Sequence, residues 1–245
     1  MIPLHDSTPR RCPPLMTWTI IAVNTVIFLI EIHLPRPVLQ KVFYTFGLIP
    51  AHYTHHFGLA MLGQGINLFP FFTCMFLHGG WIHIIGNMWT LWIFGDNVED
   101  EMGHFKFLLF YILCGLVAGL VEVLTLPNSP LPMIGASGAI AGVMGAYYLL
   151  FPRAKIILLV PILFLPLFFE LPAVFYLAFW FFEQIFTGTL ALSGKAFAGI
   201  AWWAHVGGFT FGMLTHRLFI NKRVSCRHYT DEYRPWGMLP PADRR

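Results

Sequence analysis

Long apolar stretches, separated by short polar or proline-marked breaks, run through most of this chain. No Asp, Glu, Lys or Arg occurs from Val42 to Gly95, a stretch too long for one buried element of a soluble core. Runs such as Phe107–Val121 are continuously apolar. A strand of a membrane barrel would instead alternate apolar and polar residues over about ten positions. The pattern predicts helices, and about 20 apolar residues suffice for a helix to cross a bilayer.

Six spans are predicted: Met16–His33, Phe71–Phe94, Phe107–Leu126, Ser137–Phe151, Leu171–Phe186 and Trp202–Ile220. The fold class is therefore an all-α polytopic membrane protein. The division is a cytoplasmic N-terminal segment at 1–15, a six-helix membrane domain at 16–220 and a cytoplasmic tail at 221–245. Ile156–Leu167 is apolar but broken by Pro161 and Pro166, and reads as an irregular or interfacial lead-in to the fifth span. Leu34–Pro70 is rich in proline and aromatics and almost uncharged. It reads as a compact segment lying partly in the membrane interface. Its run His52-Tyr53-Thr54-His55-His56 reads as a surface turn rather than a metal site.

Composition agrees. Of 245 residues, 57% are hydrophobic and 11% charged, where soluble domains carry about 25% charged residues. The first apolar run, Thr17–Ile30, lacks a small-residue cleavage site and reads as a retained helix. The net charge of +3 is read as topology, with no nucleic-acid partner implied. If the N-terminus is cytoplasmic, the inner segments carry 12 of the 15 Lys and Arg residues, and only Arg36, Lys41 and Lys195 lie outside. The positive-inside rule then puts both termini in the cytoplasm. Cys12, Cys74, Cys114 and Cys226 form no CxxC and no zinc spacing, so they read as unpaired thiols.

This topology brings chemically capable side chains together. The second, fourth and sixth spans all run from outside to inside. His78 and His83 therefore lie on the outer half of the second, Ser137 at the outer end of the fourth, and His205 about one turn into the sixth. Polar groups at membrane depth are costly and mark function by default. Ser137, in Gly135-Ala136-Ser137-Gly138, has the ordinary reading of a helix N-cap. It also has that of a nucleophile beside free helix-terminal amides, which favour negative charge. The lipase-type elbow Gly-x-Ser-x-Gly does not fit, because Ala139 holds the last position and no strand precedes it. His205 is either a packed histidine or the base for Ser137.

Gly138 with Gly142, and Gly208 with Gly212, have the GxxxG spacing that lets helix backbones approach closely. His83 and Asn87 share one helix face at i and i+4, as an interhelical brace or as donors to an oxyanion. A zinc site from His78, His83 and His205 lacks both HExxH and a nearby carboxylate. None of Asp96, Glu99, Asp100, Glu101, Glu122, Glu170 and Glu183 can be placed on His205, so the pattern predicts a dyad rather than a triad.

The order His78-x4-His83-x3-Asn87, then Gly135-Ala136-Ser137-Gly138, then Ala204-His205 with Gly208 and Gly212 resembles the rhomboid intramembrane serine proteases of the six-span bacterial kind. The resemblance covers about Thr17 to Leu218. It implies Ser137 and His205 as catalytic residues, with the oxyanion held by His83, Asn87 and the Ser137 amide. His78 falls on a histidine that supports the outer loop, and Gly135, Gly138, Gly208 and Gly212 fall on supporting positions. The implied protein is integral to a bacterial inner membrane and cuts transmembrane protein substrates within the lipid bilayer, with no cofactor and no metal. Two positions depart from the family pattern. Ala141 stands where some members have a tyrosine against the catalytic histidine, and Phe69-Pro70 stands where some have Trp-Arg.

Overall fold

The computed structural model describes residues 2–54, 67–162, 165–192 and 200–221. Helices dominate. They are α1 (Leu15–Glu31), α2 (Arg36–Phe46), the short α3 (Phe69–Thr73), α4 (Trp81–Met102), α5 (His104–Thr125), α6 (Ser137–Leu150), α7 (Ala173–Leu192) and α8 (Trp202–Phe219). Proline and glycine mark their ends. Pro14 and Pro35 precede α1 and α2, and Pro70 opens α3, where a missing N–H costs nothing. Gly103, at φ +76°, ends α4 and starts α5 in a conformation that other residues rarely adopt.

Among the described residues two helices, α5 and α7, are long and apolar enough to cross a membrane, and the pair formed by Phe69–Phe76 and α4 makes a third when its two bent arms count as one span. The predicted second span, Phe71–Phe94, is therefore not one continuous helix. A 3-10 turn at Cys74–Phe76, extended backbone at Leu77 and the pair Gly79-Gly80 interrupt it, and the two arms meet at 94°. α1 and α6 are shorter apolar helices.

The reading of Ile156–Leu167 as irregular is also corrected. Strands β2 (Lys155–Ile162) and β3 (Leu165–Pro172) form an antiparallel hairpin, and β1 (Ile2–Asp6) pairs with β2, giving the order β1-β2-β3. Pro161 and Pro166 face each other across this hairpin. Proline is tolerated near such positions because a terminal or edge position need not donate to the ladder. The helix of the fifth predicted span, α7, starts at Ala173, directly after β3, and reaches Leu192. Cys12 is disulfide-bonded, which corrects the reading of unpaired thiols, while Cys74 and Cys114 are buried free thiols. Sequence spacing is silent on such a bond because it depends on three-dimensional approach. His55 and His56, part of Leu34–Pro70 and the tail from residue 222 lie outside the described residues.

The N-terminal segment is tied to the C-terminal end of α4 by buried acids. Glu99 accepts from the amides of Met16 and Thr17 at 2.9 and 2.8 Å, so it caps α1. Asp100 accepts from the amides of Arg11 and Cys12. Asp6 takes the hydroxyl of Tyr147 and the amide of Asn97. Each buried carboxylate thus has donors, which offsets the cost of removing it from water.

α6 is the centre of the bundle, with every residue from Gly138 to Tyr147 buried. Its tightest partner is α8. A Cβ on Gly208 would lie 2.0 Å from the carbonyl oxygen of Gly138, and one on Gly212 2.0 Å from that of Gly142. The two GxxxG faces interlock, and nothing larger than glycine fits between the backbones. By contrast, Phe175, Phe179, Phe182 and Phe186 on one side of α7 are each more than half exposed. A contiguous aromatic stripe of this size suits contact with lipid tails rather than water.

Candidate active site

The interlock of α6 and α8 sets the distance between the first residue of one helix and the second turn of the other. Ser137 and His205 sit there, and Ser137 Oγ lies 2.7 Å from His205 Nε2. Ser137 is the first helical residue, preceded by Ala136, and makes no side-chain cap bond. The N-cap reading is thereby excluded: the hydroxyl is turned to the histidine instead. As the first residue of α6, Ser137 carries an N–H that precedes the intrahelical ladder.

The start of α4 faces this pair. Gly135, at φ +123°, donates its N–H to the carbonyl of Cys74 at 2.8 Å, which pins the segment entering α6 to the bend before α4. A Cβ on Gly135 would lie 2.6 Å from His83 Nε2 and 3.6 Å from Asn87 Nδ2. Glycine is required here by backbone and by space together. The Gly79 amide donates to His83 Nδ1 at 3.4 Å, so in the neutral ring Nε2 carries the hydrogen. Asn87 Nδ2 is buried with no hydrogen-bond partner among the described residues. Two side-chain donors on one face of α4 thus converge beside Gly135. His78 is buried, its ring 5.1 Å from that of His83, and its amide donates to Glu31 at 3.2 Å.

Trp81, His83, Asn87, Ser137, Gly138 and His205 line one cavity of about 720 Å³. A second cavity, of about 810 Å³, shares Gly79, His83, Met133, Ile134, Ile200 and Ala201 with the first. The two cavities therefore adjoin, and the connection between α5 and α6 lines the second. Among the described residues, no group of three or more His, Cys, Asp and Glu is arranged to hold a metal ion.

Two contacts escaped the sequence reading. Gln184 on α7 places Oε1 2.7 Å from His205 Nδ1, on the side of the ring opposite Ser137. Trp180, one turn earlier, lies with its ring 5.8 Å from the histidine ring at 34°. The aromatic ring beside His205 thus comes from α7, whereas Ala141, buried in α6, carries none. The signal for Gln184 was only partial: it and the adjacent Glu183 are polar residues in a mostly apolar span, and polarity marks both without choosing between them. Glu122, which the sequence could not assign, accepts the amide of Ala204 at 2.9 Å and so caps the helix that carries His205.

The sequence model of the Rhomboid domain matches residues 66–222, well over half of the chain. Rhomboid-like protein 11, chloroplastic, of Arabidopsis thaliana is 42% identical over 74 residues, 30% of this chain and 26% of that protein. Rhomboid protein 1, mitochondrial, of Saccharomyces cerevisiae is 31% identical over 153 residues, 61% of this chain and 41% of the yeast protein. Presenilin-associated rhomboid-like protein A, mitochondrial, of Danio rerio is 32% identical over 97 residues, 38% of this chain and 25% of that protein. The chain thus spans less than half the length of each of these relatives. It is an integral membrane protein, and with its domain matched from just before α3 to just past α8, it belongs to the rhomboid family.

Proposed function

We propose that this protein is an intramembrane serine endopeptidase that hydrolyses peptide bonds in or near transmembrane segments of membrane-protein substrates. One observation carries the reading: the 2.7 Å contact between Ser137 Oγ and His205 Nε2 at the wall of a cavity. Serine hydroxyls are weak nucleophiles until an adjacent base takes the proton.

The steps follow from this geometry. His205 Nε2 removes the hydroxyl proton as Ser137 Oγ bonds to the scissile carbonyl carbon. The carbonyl oxygen becomes an oxyanion, which the Ser137 amide, His83 Nε2–H and Asn87 Nδ2–H stabilise. Preorganised donors of this kind act strongly in a site of low dielectric. The C–N bond then breaks as His205 returns the proton to the leaving amine. Water, activated by the same ring, hydrolyses the acyl-enzyme and regenerates Ser137. No cofactor takes part.

The reading includes six spans in a bacterial plasma membrane, with both termini cytoplasmic and no nucleic-acid partner. Five apolar elements support it, namely α5, α7, the bent pair with α4, and the shorter α1 and α6, with α8 packed on α6 as the sixth helix, and so does the surplus of Lys and Arg on the inner side. In this orientation the site lies near the outer face, where water reaches it. A cysteine placed at Thr54 in a cysteine-free background is expected to react with an impermeant thiol reagent applied to intact cells. Reaction only after the membrane is opened would reverse the topology.

The activity is tested with purified protein in detergent and a single-span substrate. Cleavage is expected, together with labelling by a fluorophosphonate that Ser137→Ala abolishes, and chelators should leave both unchanged. Binding of the substrate helix without cleavage or labelling would make the protein a client-binding relative instead.

A further inference from the structure

We infer that Gln184 is a positioning residue for His205 and completes a Ser–His–Gln relay. The inference rests on the reading of Ser137 and His205 as nucleophile and base. An imidazole can serve as base toward Ser137 only if Nε2 is unprotonated and aimed at Oγ. In the neutral ring that requires the hydrogen on Nδ1, and the partner of Nδ1 decides which tautomer is held. Here that partner is Oε1 of Gln184, an acceptor only, at 2.7 Å.

The amide is itself oriented. Gln184 Nε2 donates to the carbonyl of Trp180 at 3.3 Å and to the carboxylate of Glu183. Turning the amide over would break both bonds and present N–H to Nδ1. The ring would then carry its hydrogen on Nε2, facing Ser137, and could not act as base. Gln184 is 2% exposed, so water does not substitute readily for the lost acceptor. Trp180 and Gln184 stand at i and i+4 on α7, so one helix face both packs an aromatic ring against the imidazole and holds its far nitrogen. Both contacts come from α7, whereas Ala141 on α6 offers the ring no polar group.

A glutamine at this point differs from a carboxylate. It orients the ring but adds no negative charge to stabilise the imidazolium formed during attack. The other titratable groups near the ring are Glu183 on α7, His83 on α4 and Glu122 on α5, the last bonded at the amide of Ala204.

The test compares the pH dependence of fluorophosphonate labelling in full-length wild type, Gln184→Leu and Gln184→Glu, with thermal unfolding measured in parallel. Gln184→Leu keeps the bulk but loses the acceptor, and labelling is expected to slow about tenfold. Gln184→Glu keeps the acceptor. It is expected to label at a rate near wild type, with its acid limb moved to higher pH, because an adjacent carboxylate favours the charged ring. Equal labelling rates for Gln184→Leu and wild type would overturn the inference and leave the dyad standing. If Gln184→Leu does not fold, Gln184→Glu decides alone: a displaced acid limb supports the relay, and an unmoved limb overturns it. Failure of wild type to label, by contrast, defeats the dyad itself and the relay with it.

Discussion

Ser137→Ala is expected to lower turnover of a transmembrane substrate by a factor on the order of 10⁶, about 8 kcal/mol of transition-state stabilisation. His205→Ala should fall as far, and the double variant no further, because nucleophile and base act as one unit across their 2.7 Å contact. Residual turnover then reflects the oxyanion donors and substrate binding alone. Ser137→Ala is the cleaner of the two. The hydroxyl makes no cap bond and sits at the end of α6 rather than inside the buried run from Gly138 to Tyr147, so thermal unfolding should be unchanged. His205→Ala also strips a partner from Gln184 and opens space beside Trp180, so some loss of stability should accompany it. Steady-state cleavage in detergent measures both. Either single variant retaining activity within a hundredfold of wild type would remove that residue from the reaction.

Much of this arrangement was legible in the sequence because the relevant rules are short-ranged. The period of a helix puts His83 and Asn87 on one face, and GxxxG spacing announces close backbone approach, so Gly138, Gly142, Gly208 and Gly212 pointed to the α6–α8 contact. Direction of span, read from Lys and Arg placement, then suggested Ser137 and His205 at one depth. What the sequence could not give depends on rotation of a helix about its axis. Gln184 faces His205 and Phe182 faces outward from the same helix, yet an almost uniformly apolar helix has little moment to show which side turns inward. The break in the predicted second span was obscured for a related reason. Residues 71–94 are apolar on both sides of Gly79-Gly80, and hydropathy registers length without registering direction. The hairpin of β2 and β3 was missed because a short apolar run with prolines fits a loop as readily as an edge strand. Its pairing with the remote β1 is not a local property of either segment.

Asn87→Ala is expected to lower kcat by about 10²–10³, the usual cost of losing one preorganised oxyanion donor, with a much smaller change in KM. Asn87 could instead be a brace between helices, and the geometry bears on that alternative. A brace needs a partner, whereas Nδ2 of Asn87 is buried and bonded to no protein acceptor among the described residues. It lies beside His83 Nε2 at the surface of Gly135, in the same cavity as Ser137. Leaving a buried donor unpaired costs about 1–3 kcal/mol, so removing it should not reduce stability. Thermal unfolding of Asn87→Ala is therefore expected at or slightly above that of wild type while turnover collapses. His83→Ala should show a comparable fall in kcat. If both donors serve the same oxygen, the double variant should lose less than the product of the two single losses, since the second removal acts on an already weakened site. Losses that multiply fully would assign the two residues to independent tasks. A lowered unfolding temperature with unchanged kcat in Asn87→Ala would return that face of α4 to a purely structural role.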